Sequence, residues 1–401
     1  MIKDQHDNHP ITCSFCGKNS EHVNKIIKGA YVNICNECIT LCYGMLDNTD
    51  VKKDVNVPIY NIPSTIELKN YLDEYVVGQD SAKKILSVSI INHLKRIMNK
   101  NSDVVLEKEN VLMVGPSGTG KTLLVKTLAN KLNLPCVICD STVLSEVGYV
   151  GADPDSLIKK LYINSNHDIN KTQHGIVFID EIDKKAKKNI SSGKDASGEG
   201  VQQALLKLIE GTVVELEIGD GNKTNNVSID TTNILFIVSG AFSGIENIIN
   251  KRENINKIGF GLSTDSVEKS GTLIPDDIIN YGIIPELVGR LPIIAILEKL
   301  NREQMKQVLL DTKNSLIKQY KKLFELENIT LDFHDDCIDY IIDQSINEKT
   351  GIRGIRNIIE SKLIDVQFEI PNYIKSGISE IIIPKSFYEH NSDPIFRIFE
   401  K

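Results

Sequence analysis

A short apolar run, Val111 to Val114, leads straight into Gly115-Pro116-Ser117-Gly118-Thr119-Gly120-Lys121-Thr122. No other stretch of the chain restricts its own folding so tightly. The apolar residues read as a buried strand and Leu123 to Leu132 as a helix, with a glycine-rich turn between them. The spacing is G-x-x-x-x-G-K-[ST], and its strand–loop–helix setting turns backbone N–H groups inward at a helix N-terminus, where free donors suit phosphate. Lys121 is placed to reach the β- and γ-phosphates of a nucleoside triphosphate, and Thr122 to ligate Mg²⁺.

The segment "GIVFIDEIDKK" supplies the second half of such a site. Four strand residues, Ile176 to Ile179, end in Asp180 and Glu181. A carboxylate closing a buried strand is costly unless a cation receives it, and Mg²⁺ is the natural recipient for Asp180. Glu181 is then expected to orient the attacking water. Helical patterns alternate with the strands "NVLMVG", "PCVICD", "GIVFID" and "NILFIVSG", which predicts an α/β fold with a parallel sheet covered on both faces. That large domain is expected over residues 65–298. Over residues 299–401 the pattern shifts to long helices and one late strand, "ISEIIIP", predicting a small, mostly helical domain.

Eight cysteines are present. Cys13, Cys16, Cys35 and Cys38 make C-x2-C, eighteen residues, C-x2-C, the spacing of a structural zinc site whose four thiolates complete a tetrahedron. Residues 1–48 are therefore expected to be a zinc-binding domain, joined by a linker over residues 49–64 that carries two prolines and no amphipathic period. Cys136 and Cys139 repeat the C-x2-C spacing, but on a strand residues three apart face opposite sides and cannot grip one ion. Cys42 is expected on a helix outside the cluster.

The net charge of −8 argues against a general nucleic-acid binder. No apolar run approaches the roughly 18 residues that cross a bilayer. The N-terminus, "MIKDQHDNHP", resembles neither a secretory signal nor a transit peptide, so a cytoplasmic location is expected.

The Asp180-Glu181 strand end, with a helical domain behind it, resembles the AAA+ family of ring-forming ATPases. The resemblance implies that "YVVGQDSAKK" packs adenine against Val76 and Val77, and that Arg290 in "PELVGRLP" is an arginine finger reaching a neighbouring subunit's site. It also implies that Arg353 in "TGIRGIRNIIE" contacts the γ-phosphate from the small domain, and that Ser239 is the polar tip of the sensor-1 strand.

Further motifs narrow the likeness. "SEVGYVGADPD" sets Tyr149 and Val150 between glycines, as in a loop that grips a polypeptide in an axial pore. "NKIGFGLSTD" offers Ile258, Gly259 and Phe260 from a polar stretch, and Asp195 to Thr212 matches a second pore loop with its helix. With the zinc module these motifs are similar to the ClpX family over nearly the entire chain. The HslU family lacks the zinc module and the I-G-F loop. The resemblance implies an ATP-driven homohexamer that unfolds tagged proteins and feeds them to the ClpP peptidase, with the zinc module docking substrates or adaptors. The sequence departs from that family in "EIGDGNKTNNVSID", where a basic cluster is usual and only Lys223 is basic, and at Ala152, where an acidic residue is common. A zinc-finger ATPase remodelling nucleic acid and a nucleotide-regulated scaffold without turnover are the two readings left beside it.

Overall fold

The first residues hold too few apolar side chains for an ordinary core, and the chain closes on its thiols instead. The computed structural model describes residues 12–20, 22–47, 62–99, 103–145, 152–187, 196–219, 224–257, 271–348 and 350–398. The chain divides into two compact units, Met1–Pro58 and Ile59–Lys401. In the first unit β1 (Ile26–Lys28) and β2 (Asn33–Cys35) form an antiparallel hairpin that runs directly into the helix Asn36–Asp47. Among its described side chains only Cys13 and Cys35 are fully buried, while Phe15, Tyr31 and Val32 are exposed.

The second unit opens on a helix, Thr65–Asp73, whose start is written in Ser64-x-x-Glu67. The Ser64 hydroxyl accepts from the Glu67 amide at 3.1 Å, and the Glu67 carboxylate accepts from the Ser64 amide at 2.7 Å. Its first seven strands are β3 (Val111–Val114), β4 (Cys136–Asp140), β5 (Ile176–Asp180), β6 (Val213–Gly219), β7 (Thr224–Asp230), β8 (Leu235–Gly240) and β9 (Ile293–Ile296). Five of them make a parallel sheet in the order β4-β5-β8-β3-β9, with β3 inside it, while β6 and β7 form a separate antiparallel hairpin.

Strands buried on both faces are apolar at every position, and β3 follows this along its whole length. Its alternation separates two cores. Val111 and Met113 pack with Leu86, Ile90, Leu124 and Leu128, whereas Leu112 and Val114 pack with Leu157, Leu161, Leu205 and Leu208. Cys136 packs against the first core and Cys139 belongs to the second, so the pair straddles the sheet as its strand period requires.

A third core lies in the C-terminal part, where the helices Leu316–Leu326, Asp335–Asn347 and Gly351–Phe368 enclose Phe324, Ile341, Ile355 and Leu363. Beside them β10 (Thr330–Phe333), β11 (Glu380–Ile383) and β12 (Ile395–Arg397) form a three-stranded sheet. Only β11 is evident as a strand in the sequence. Among the described residues no helix is long and apolar enough to cross a membrane.

Candidate functional site

The glycine-rich loop leaves β3 at the carboxyl end of the sheet, the side on which open α/β sheets bind ligands. Two of its glycines are required by geometry. A Cβ on Gly115 would collide with the Leu297 carbonyl oxygen, and Gly120 starts the helix Lys121–Leu132 at φ 95°. Within the loop Thr119 donates to the Pro116 carbonyl at 2.9 Å, and Ser117 and Gly118 line the cleft above it. The Lys121 ammonium is buried and donates to the carbonyls of Gly115 and Pro116 at 2.6 and 2.9 Å. Burial pushes its pKa down, opposed by the nearby Asp180 and Asp183.

The ends of β5 and β8 bring Asp180 to this loop. Thr122 donates to one Asp180 carboxylate oxygen at 3.0 Å. The other accepts from the Ser239 hydroxyl and from the Glu181 amide, at 2.5 and 2.9 Å. Ser239 is fully buried, so it stands behind the carboxylate rather than on the cleft wall. A hydroxyl beside a carboxylate is the hard-oxygen donor set that Mg²⁺ takes, and Thr122 and Asp180 fit it.

Glu181 has φ 57°, a left-handed conformation uncommon for a residue with a side chain. It turns the chain from β5 into a short 3-10 helix, Ile182–Lys185, held by the Ser141 hydroxyl donating to the Glu181 carbonyl at 2.8 Å. The resulting cleft of about 460 Å³ brings together Lys121, Thr122, Asp180, Glu181 and Arg353, the last from the first turn of the helix Gly351–Phe368. Asp183 lines it too and accepts from the Ala241 amide at 3.2 Å; the sequence reading missed it, although it lies two residues past Glu181. An adjoining pocket of about 680 Å³ runs from Pro116–Thr119 to Leu300, Met305, Ile346 and Ile352, an apolar lining also missed in the sequence.

Val76 is buried with its Cγ1 3.6 Å from where a Cβ on Gly120 would stand. Val77 is half-buried and lines a separate hollow with Gln307, Asp311 and Thr312. Arg290 is not at this cleft. It lies just before β9, at the amino end of the sheet, with its exposed guanidinium on Glu210 at 2.9 Å. Tyr149 and Val150, the Ile258-Gly259-Phe260 motif and Lys223 lie outside the described residues.

In the first unit the Sγ atoms of Cys13, Cys16, Cys35 and Cys38 all lie within 4.8 Å of one another. The Cys13–Cys38 and Cys16–Cys35 separations are 3.9 and 3.7 Å. A tetrahedral zinc with sulfur at about 2.3 Å has edges of ~3.8 Å, so the four thiols fit it. Burial raises the Cys13 thiol, but the amides of Cys16, Phe15 and Cys35 outweigh it and hold the pKa down to about 6, while the hydrogen bond to Cys16 and burial push the Cys38 thiol up. Cys42 is half-buried on the following helix and outside the cluster.

Comparison with known proteins matches three segments of the chain. Residues 11–48 match the ClpX C4-type zinc finger, residues 106–294 the AAA domain (Cdc48 subfamily), and residues 300–371 the C-terminal, D2-small domain, of ClpB protein. A relative from Treponema denticola, the ATP-dependent Clp protease ATP-binding subunit ClpX, is 44% identical over 396 residues, covering 95% of this chain and 95% of the relative.

Proposed function

The chain belongs to the ClpX family of AAA+ unfoldase subunits, and from that premise we propose how its residues divide the work of ATP-driven protein unfolding. The chain is an ATP hydrolase with unfoldase and translocase function. The observation that carries our assignment of roles is the convergence of Lys121, Thr122, Asp180, Glu181 and Arg353 on one cleft, from three separated parts of the chain.

The loop amides from Ser117 to Gly120 and the Lys121 ammonium hold the β- and γ-phosphates. Bound Mg²⁺ supplies charge neutralisation of the phosphate oxygens. Thr122 and Asp180 hold it, with Ser239 fixing the Asp180 carboxylate. Glu181 orients the attacking water and accepts its proton, and Arg353 balances charge on the γ-phosphate. The base occupies the adjoining apolar pocket bounded by Leu300, Met305, Ile346 and Ile352, with Val76 packed behind the phosphate loop at Gly120.

Arg290 acts on a neighbouring subunit, because it lies at the end of the sheet opposite its own phosphate loop. The family resemblance implies a homohexamer as the working assembly, which would supply that neighbour. Tyr149 and Val150 grip the substrate in its pore, Ile258, Gly259 and Phe260 dock a ClpP peptidase, and the four-thiol module holds Zn²⁺ and receives substrates or adaptors. A cytoplasmic location agrees with eight cysteines none of which is paired in a disulfide.

The test is degradation of a stable fluorescent reporter carrying a C-terminal degradation tag. Fluorescence is expected to fall only with ATP, this chain and ClpP all present. Reporter loss without ATP, or none with all components, would overturn the reading.

A further inference from the structure

Gln79 closes the segment Tyr75-Val76-Val77-Gly78-Gln79 and begins the helix Asp80–Met98, its carbonyl accepting from the Lys83 amide at 2.9 Å. Its φ is 60°, next to Gly78 at 63°, so a residue with a long side chain holds a conformation that glycine would adopt at lower cost. Such strain persists where surrounding contacts over-determine it. Here the contacts come from the Gln79 side chain. Its amide nitrogen donates to the Glu298 carbonyl at 2.7 Å, and its amide oxygen accepts from the Glu298 N–H at 2.9 Å. One side chain thus occupies both backbone groups of a residue 219 positions away.

Glu298 lies where the chain leaves the sheet. The preceding residue, Leu297, extends the β9 ladder by donating to the Val114 carbonyl at 2.8 Å, and its own carbonyl packs on Gly115. From Lys299 onward the chain lines the apolar pocket and enters the helix Arg302–Leu310. Two bonds from Gln79 therefore fix the direction in which that helix departs. The neighbouring loop adds contacts on the same side: Lys313 donates its amide to the Glu74 carbonyl at 2.8 Å, and Gln304 packs against Gly78.

From there a continuous set of contacts leads to the phosphate cleft. Arg302 grips Asp343 through two bonds of 2.7 and 3.2 Å, and Lys306 holds Asp339 at 2.9 Å, locking Arg302–Leu310 onto Asp335–Asn347. At the end of that second helix the Ser345 hydroxyl donates to the Gly351 carbonyl at 2.5 Å, setting the start of the helix that carries Arg353. We propose that Gln79 is a positioning residue for Arg353: by clasping Glu298 it aims the C-terminal helices so that the Arg353 guanidinium meets the phosphate cleft, and it ties this aim to the segment bearing Val76 and Val77. The inference rests on the role given above to Arg353.

The test is a double-mutant cycle in the full-length chain at saturating Mg-ATP, which measures coupling between residues that do not touch. Gln79→Gly removes the clasp and accepts the positive φ, so thermal stability is expected to stay near that of the wild type. The kcat for ATP is expected to fall by roughly five- to thirtyfold, up to the factor that two neutral hydrogen bonds of about 1 kcal/mol each are worth. In an Arg353→Ala background Gln79→Gly should then cost almost nothing further. Independent, multiplying losses in the double variant would overturn the inference, as would an unchanged kcat in Gln79→Gly alone. An Arg353→Ala variant with full activity would overturn the role of Arg353 itself, and is recognised by that single arm.

Discussion

The side-chain amide of Asn110 donates to the backbone carbonyl of Arg290 at 3.1 Å, just before β3 begins. The same side chain accepts from the Phe236 amide at 3.1 Å, so one buried asparagine ties the starts of β3 and β8 to the turn carrying Arg290. The phosphate loop leaves the other end of β3, roughly 10 Å away along a strand of four residues. The Arg290 guanidinium also points onto Glu210, away from its own cleft. Arg290→Ala is expected to fold normally and to lose about a thousandfold or more in ATP turnover, the range of a transition-state arginine. Mixing it with Glu181→Gln chains should restore part of the activity, because some sites then pair an intact Glu181 with a neighbour's intact Arg290. Turnover by a strictly monomeric wild-type preparation would contradict this arrangement.

Glu181→Gln is expected to bind ATP with little change and to hydrolyse it at least a hundredfold more slowly, roughly the scale of a lost general base, since the carboxylate that accepts a proton is gone while Thr122 and Asp180 remain. Lys121→Ala should instead weaken binding itself. Ser239→Ala leaves the Asp180 oxygen with the Glu181 amide alone, and a fall of roughly ten- to a hundredfold in turnover is expected, in keeping with one lost hydrogen bond to a charged group. Equilibrium binding of a fluorescent ATP analogue beside steady-state turnover separates these three outcomes.

The phosphate loop was legible because its constraints are local: glycines at fixed spacing between a strand and a helix leave few other conformations. The four-thiol cluster was legible for the same reason. The hairpin β6–β7 is also written in the sequence, since "VVELE" alternates buried Val214 and Leu216 with exposed Val213, Glu215 and Glu217. Other features depend on distance along the chain. Leu300, Met305, Ile346 and Ile352 form one pocket wall only after the C-terminal helices pack, and no local period marks them. The left-handed turn at Glu181, which brings Asp183 to the cleft, has no glycine to announce it. β10 carries its alternation, Thr330 and Asp332 exposed against Leu331 and Phe333 buried, over a single short stretch, and the three residues of β12 are all exposed.

Lys108 should make stability depend on pH. Its ammonium donates to the carbonyls of Ile209 and Thr231 at 3.0 and 3.2 Å and sits 4.7 Å from the centre of the Phe236 ring. Burial, with Arg96 nearby, pushes its pKa down to about 7, and Asp230 offsets this in part. Between that value and the ordinary 10.5 the unfolded chain holds a proton that the folded chain has released, so this group makes stability rise with pH across the window. Lys108→Met is expected to flatten that rise. The measurement is the urea midpoint of the nucleotide-free chain at about pH 7 and about pH 9, and an equal change with pH in the variant and the wild type would exclude the contribution.

Zinc removal should act on the first unit alone. Apart from Cys13 and Cys35, none of its described side chains is fully buried, so its hairpin and helix depend on the four thiols being held together. Binding of a structural zinc is worth about 10–16 kcal/mol to such a module, far more than its few packed side chains can replace. A chelator strong enough to strip the metal, or Cys35→Ser, is therefore expected to collapse the amide dispersion of residues 12–47 in NMR spectra. Basal ATP turnover should stay within about twofold of the wild type, because the residues assigned to hydrolysis all belong to the unit Ile59–Lys401. Degradation of substrates that need the module should fall in parallel with the metal released. Native dispersion in the metal-free chain would show that the thiols only share a surface and hold no structural ion.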